Sequence, residues 1–135
     1  MSYKLLDVEG IGPAYAEKLA ASGLHTTDHL LEHGGTKSGR SKIAESTGIS
    51  EHLILKWVNH SDLFRIKGIA GQFAELLEAA GVDTVKEFGH RIPENLHKKL
   101  EEVNAEKRLT HRVPSLSELT DMVEQAKKLE PRVTY

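Results

Sequence analysis

The chain contains two copies of one segment. Residues 5–31 align without a gap on residues 63–89, an offset of 58 positions, and nine of the 27 aligned pairs are identical. The identical pairs are Leu5/Leu63, Gly10/Gly68, Ile11/Ile69, Ala16/Ala74, Glu17/Glu75, Leu19/Leu77, Ala21/Ala79, Gly23/Gly81 and Thr26/Thr84. A unit this short cannot bury its apolar face alone, so the two copies are expected to share one core.

Each copy carries the local signals of helix, tight turn and helix. Apolar and small side chains recur at helical spacing up to Gly23 and Gly81, which predicts left-handed glycine caps at those points. Thr26 and Thr84 follow three residues later and are natural N-caps for a further short helix. Pro13 fits the opening turn of the helix in the first copy. The unit is therefore predicted to be helical throughout.

Length and composition limit the remaining possibilities. A chain of 135 residues is the size of one domain and can bury a real core. It has no cysteine, which excludes a disulfide, a thiolate metal site and a cysteine nucleophile. No apolar run approaches the roughly 20 residues that span a bilayer, and no signal segment begins the chain, so a cytoplasmic protein without membrane contact is expected.

The segments outside the repeat also have helical patterns. Residues 34–60 are predicted to be a helical connector, and residues 93–129 two bracing helices. Pro93 opens the first of these, and Ser115 with Glu118 forms a capping box for the second. We predict an all-α fold of six to eight short helices in a single domain over residues 1–135, with helical units at 5–31 and 63–89.

The net charge of −2 argues against a protein that coats nucleic acid, but the charge is uneven. Residues 1–33 carry two Lys against five acidic residues, and residues 73–135 carry ten basic against twelve acidic residues. Residues 34–72 carry six Lys or Arg against three acidic residues. An anion-binding face would therefore draw on the middle third.

The glycine-rich turn of the first copy carries a family resemblance. The pattern Val8-x-Gly10-Ile11-Gly12-Pro13-x-x-Ala16-x-x-Leu19-x-x-x-Gly23 resembles the helix-hairpin-helix motif of DNA repair and replication proteins. The repeat is similar to their tandem arrangement. Over nearly the whole chain, including KIAESTGISEHLILKWVNHSDLFRIKGI, the sequence also resembles a bacterial domain-of-unknown-function family, number 4332.

The resemblance implies a way of binding nucleic acid. In helix-hairpin-helix proteins, backbone N–H groups at a helix N-terminus hold a phosphate, because these groups lack intrahelical partners and the helix end is partly positive. Carried over, the contacts are Gly10, Ile11 and Gly12 in the first hairpin and Gly68, Ile69, Ala70 and Gly71 in the second. The position that is often Lys or Arg in DNA-binding members is Ala14 in the first copy and Gln72 in the second.

The two hairpins differ in charge. Asp7 and Glu9 flank the first where Arg65 and Lys67 flank the second. A phosphate is repelled by Glu9, so the second hairpin is predicted to be the anion site, with Arg65, Lys67 and Lys56 as the cations. Solvated cations that pair with Asp62 are the alternative interpretation.

Three further motifs have weaker support. Residues 43–58 resemble a helix-turn-helix with Ser50 as N-cap, but the second helix would present Glu51, His52, Leu55, Lys56 and Asn59, a poor set for a DNA groove. Residues 34–41 approach a phosphate loop but follow a helix, so a flexible turn with a helix cap is predicted, with Lys37, Arg40 and Lys42 adding to a basic face. His25, His29 and His33 have metal-ligand spacing only if one helix holds all three.

Two functions remain from these patterns. The first is a non-enzymatic nucleic-acid-binding module that contacts phosphates mainly through the second hairpin, with little sequence preference. The second is a protein interaction or scaffold module in which both hairpins are structural turns. No cofactor, metal site or catalytic set is predicted.

Overall fold

The computed structural model describes residues 3–69 and 71–135, and this part of the chain is all-α. Its eight α-helices are α1 (Pro13–Ala21), α2 (Thr27–Gly34), α3 (Lys37–Thr47), α4 (Glu51–Leu63), α5 (Gly71–Ala79), α6 (Val85–Gly89), α7 (Pro93–Lys107) and α8 (Leu116–Lys128). A single 3₁₀ turn, Leu5–Asp7, precedes them, and Lys4 and Thr26 form an isolated β-bridge. The predicted fold class and helix number are confirmed.

The sequence repeat is a repeat of backbone geometry. Gly10 and Gly68 have φ angles of +93° and +100°, and Gly23 and Gly81 have φ angles of +84° and +94°. These left-handed conformations are readily available to glycine alone, which explains why glycine occupies both pairs of positions. Pro13 begins α1, as predicted.

The hydrogen bonds that end each first helix are repeated as well. The Leu24 amide donates to the Leu19 carbonyl at 2.9 Å, and the Val82 amide donates to the Leu77 carbonyl at 2.8 Å. These bonds close the left-handed caps that the glycines permit. The hydroxyls of Thr26 and Thr84 then accept the first free amides of α2 and α6, which confirms both predicted N-caps.

Helix α4 lies at the centre of the molecule. It packs against α2, α3, α5 and α6, and every residue from Trp57 to Leu63 is buried. Trp57 joins α4 to the first hairpin, because its ring packs edge-on against Tyr15 at 5.0 Å and its indole lies beside Gly10. The predicted connector is thus the central element of the core.

The C-terminal helices brace the second copy. Helix α7 begins at Pro93, and the capping box of Ser115 and Glu118 opens α8, as predicted. Helix α8 buries its apolar stripe against α6 and α7. The buried residues of this stripe are Leu119, Met122, Val123 and Ala126.

Two local predictions from the connector are wrong. Residues 37–41 belong to helix α3, capped by Thr36, and do not form a flexible turn. Arg40 is only 4% exposed and donates to the carbonyls of Gly34 at 2.9 Å and Thr134 at 2.6 Å, so it cannot contribute to a basic face. Asn59, which the helix-turn-helix interpretation would present to DNA, is buried and accepts a hydrogen bond from the Tyr135 hydroxyl, which counts against that interpretation.

Candidate nucleic-acid interface

The turn that leads into α5 is the exposed part of the second hairpin. Lys67 and Gly68 are both exposed, and Gly68 takes the left-handed conformation that reverses the chain. Helix α8 supports this turn from behind: the Gln125 side chain accepts the Lys67 amide at 3.0 Å, and the Met122 methyl lies against Gly68. Tertiary contacts with α8 therefore add to the local conformation that Gly68 allows.

Not all of the predicted backbone donors are available. The Ile11 amide donates to the Val8 carbonyl at 3.1 Å, and the Ile69 amide donates to the Ile66 carbonyl at 3.3 Å. The turns themselves use these two N–H groups, which corrects their assignment as phosphate donors. The side chains of Ile11 and Ile69 are buried in the core.

The backbone amides that remain free in the two hairpins belong to glycines. Within the described residues, the N–H groups of Gly10, Gly12, Gly68 and Gly71 have no acceptor. Gly12 caps α1 and Gly71 begins α5, where amides lack intrahelical partners. Ala70, the remaining predicted contact, lies outside the described residues.

The second hairpin lies directly against the first. A Cβ atom on Gly71 would come within 2.5 Å of the Asp7 carbonyl oxygen and 3.8 Å of the Glu9 amide nitrogen. Asp7 and Glu9 also line the same surface hollow as Gly68 and Gly71. Two acidic side chains thus lie near the N-terminus of α5, and they oppose the approach of a phosphate.

Two of the three predicted cations are used inside the protein. Arg65 forms a 2.7 Å ion pair with the buried Asp62. Lys56 lies 3.9 Å from a Glu75 carboxylate oxygen and 3.6 Å from one of Glu78, so its half-buried charge is shared with two acidic residues of α5. Of these three cations, Lys67 alone is exposed and has no ion pair to another described residue.

Sequence reasoning missed cations that α7 brings to the hairpin. Gln72, in the first turn of α5, shares a surface hollow with Arg108, Thr110 and His111 from the end of α7 and the loop after it. Arg108 is exposed and left-handed, with φ of +51°. No local signal links it to Gln72, because 36 residues separate the two and only the packing of α7 on α5 brings them together.

The first hairpin is the less suitable anion site. Its cap glycine, Gly10, lies against the Trp57 indole, with 3.3 Å between a Cβ at Gly10 and Nε1. The exposed side chains beside this hairpin include the acidic residues Asp7 and Glu9, and the same turn contributes no Lys or Arg. This arrangement agrees with a structural role for the first hairpin.

One cluster between α4 and α5 meets the distance requirement for a metal site. Ligand atoms of His60, Glu75 and Glu78 lie within 4.8 Å of one another. His60 is fully buried, and its Nε2 lies 2.6 Å from a Glu78 oxygen while Nδ1 has no partner. Because a buried Nδ1–H without an acceptor is costly, the proton belongs on Nε2, and a metal there would displace it. Lys56 already lies beside both carboxylates and His60 accounts for one oxygen of Glu78, so a structural network of charges and hydrogen bonds explains the cluster.

The histidines that precede and occupy α2 do not form a metal-ligand row. His25 lies before the helix, as predicted, and its backbone amide donates to Nδ1 of His29 at 3.1 Å. His33 lies in the last turn of α2. The ring nitrogen of His29 that would face His25 is thus already in use.

No described helix is both long and apolar enough to cross a bilayer. No curated protein and no solved structure matches the chain. The model of one family, described as a domain of unknown function (DUF4332), matches residues 9–129. That match includes both hairpins and all eight described helices, so the chain belongs to the DUF4332 family.

Proposed function

We propose that this protein is a non-enzymatic nucleic-acid-binding module that contacts phosphates through its second hairpin. The observation that carries the proposal is the exposed Lys67–Gly68 turn at the start of α5, with Arg108 and His111 lining a surface hollow beside Gln72. The proposal keeps Lys67 and the amides of Gly68 and Gly71 from the sequence-based set. It replaces Arg65 and Lys56 with Arg108.

The chemistry of this surface suits a phosphate better than a base. Free glycine amides and the N-terminus of α5 attract negative charge. Lys67 and Arg108 add cations that act through the phosphate backbone and give little sequence preference. Asp7 and Glu9 lower the affinity, so weak and strongly salt-dependent binding is expected.

Fluorescence anisotropy with labelled double-stranded, single-stranded and junction DNA, and with RNA, tests the proposal. We expect Kd values in the micromolar range at low salt, weakening about tenfold or more as salt approaches physiological concentration. Lys67→Glu and Arg108→Glu should each weaken binding at least about tenfold. Lys37→Glu is the matched control, since it makes the same charge change on α3, where an acidic residue in the first turn suits the helix dipole.

The acidic neighbours provide a test in the opposite direction. Removing a charge with Glu9→Gln should strengthen binding, because that carboxylate lies beside the proposed phosphate position. No binding at about 50 mM salt, or equal losses in Lys37→Glu and Lys67→Glu, would refute contact through this hairpin.

A protein interaction module is the second candidate function. The contact of Gly71 with Asp7 favours it, because it fills space beside α5 and surrounds the helix N-terminus with acidic groups. In that case the hairpins are turns that hold two helical units together. No nucleic-acid binding by the wild type, and none by Glu9→Gln in which the repelling charge is removed, would support this candidate.

A further inference from the structure

A cavity of about 470 Å³ lies between α6, α8 and the segment that follows α8. Its size is within the range of small-molecule sites in proteins, and its exposed wall is more apolar than polar. None of its lining residues belongs to the second hairpin turn, residues 67–71, or to the cation Arg108. It is therefore a separate feature of the molecule.

The walls of the cavity are fixed by close backbone contacts. Gly89 of α6 has no Cβ, and one placed there would meet the Lys127 amide nitrogen of α8 at 3.3 Å. Gly35 lies so close to the last segment that a Cβ would come within 2.7 Å of the Arg132 carbonyl oxygen. These two glycines allow three chain segments to meet, so the cavity is formed before any ligand arrives.

Hydrogen bonds hold the last segment in place. The Thr134 amide donates to the Gly35 carbonyl at 2.7 Å, and the buried Arg40 donates to the Thr134 carbonyl. The Tyr135 hydroxyl donates to Asn59 at 2.7 Å, while 64% of Tyr135 remains exposed. The partly solvent-exposed aromatic ring of Tyr135 is thus fixed at the edge of the cavity.

The polar groups of the lining are mostly cationic. Lys86, Lys127 and Arg132 line the cavity, with His90 beside them. Lys127 pairs with the exposed Glu124, whereas Lys86 has no ion pair among the described residues. In a chain of net charge −2, such a local excess of positive charge marks a surface for an anion.

One buried carboxylate also reaches the cavity. Asp62 is 5% exposed and its Oδ1 accepts from Arg65, while Oδ2 is not one of the buried atoms left without a partner among the described residues. Burial raises the pKa of Asp62, against the opposing effect of Arg65 and Arg132. A ligand hydroxyl or amino group can donate to this carboxylate in place of water.

We propose that this cavity binds a small organic phosphate of the nucleoside monophosphate type. Lys86 and Arg132 hold the phosphate, Asp62 accepts a hydrogen bond from a hydroxyl or amino group, and the Tyr135 ring packs on a planar apolar portion. The proposal is independent of nucleic-acid binding at the second hairpin. Variants of the cavity and variants of the second hairpin distinguish the two binding sites.

Titrations followed by amide NMR test the proposal on the full chain. The probes are adenosine monophosphate, ribose 5-phosphate, adenosine and inorganic phosphate, which separate the contributions of phosphate, sugar and ring. We expect adenosine monophosphate to shift the Thr84, Gly89 and Val133 amides with a Kd below about 1 mM. Each of the other probes should bind at least about fivefold more weakly.

Variants of exposed residues locate the binding without threatening the fold. The double variant Lys86→Gln with Arg132→Gln should weaken adenosine monophosphate binding at least about tenfold. Lys67→Glu, in the proposed nucleic-acid interface, should leave it unchanged. The proposal is overturned if none of the probes shifts the cavity amides, if inorganic phosphate binds as tightly as adenosine monophosphate, or if the double variant binds normally.

Discussion

Gly71→Ala tests the close approach of the two hairpins. A methyl group at this position would come within 2.5 Å of the Asp7 carbonyl oxygen, about 0.9 Å short of ordinary van der Waals contact. The obstacle is backbone that the 3₁₀ turn Leu5–Asp7 holds in place, so it cannot rotate away as a side chain would. Overpacking of this kind costs about 1–3 kcal/mol, and the gain in helix propensity offsets at most about 1 kcal/mol.

We therefore expect Gly71→Ala to lower the free energy of unfolding by about 1–2 kcal/mol and the Tm by roughly 3–8 °C. Urea unfolding followed by fluorescence of Trp57, which is the sole tryptophan and 1% exposed, measures the change. Gly12→Ser is the control, because a Cβ there meets nothing within 4 Å and serine is at least as good an N-cap for α1 as glycine, so stability should fall by less than about 0.5 kcal/mol. A Gly71→Ala protein as stable as the wild type would show that the hairpins do not meet in this way.

Three further predictions concern stability. Burial raises the pKa of Asp62, so its carboxyl contributes stability below its usual value of 3.8 that is lost as the pH rises through the folded-state pKa. Asp62→Asn should remove this dependence, so that urea unfolding over a pH series shows the variant gaining on the wild type with rising pH; a constant difference would contradict this. Arg40→Ala should cost about 2–4 kcal/mol and speed hydrogen exchange at Thr134, because two carbonyls lose their donor, whereas Lys37→Ala should change little. Ser115→Ala should cost about 1 kcal/mol in thermal unfolding by removing the α8 cap, and a loss no larger than that of Ser117→Ala would count against the capping box.

The sequence predicted the candidate site only in part. It located the second hairpin and distinguished Lys67 from the acidic flank of the first hairpin, because both comparisons depend on aligned positions in the repeat. The sequence offered the pairing of Arg65 with Asp62 three residues earlier only as an alternative, and the structure confirms that pair. It could not show that Lys56 pairs with Glu78, since that ion pair depends on how α4 packs against α5. A free lysine such as Lys67 and a paired lysine such as Lys56 cannot be told apart from the sequence.

The cavity lined by Asp62, Lys86 and Arg132 shows the same limit more clearly. Its lining comes from α4, α6, α8 and the segment after α8, and no local pattern joins these parts. Arg40 is a related case, because a cation beside Lys37 and Lys42 suggests a basic surface, yet its side chain lies in the core and fixes residue 134. Burial of a charged group depends on partners distant in sequence.

The sequence by itself determined the all-α class, the two copies of the helical unit and the points at which helices begin and end. These features follow from short-range physics: left-handed glycines at Gly10, Gly23 and their equivalents, hydroxyl caps such as Thr84, and apolar spacing at the helical period. The tertiary structure decided which amides and cations remain free. Packing brings Asp7 to Gly71 and Arg108 to Gln72. The energy of such a contact depends on the distance between the two residues in space, and no local sequence pattern shows which distant residues will meet.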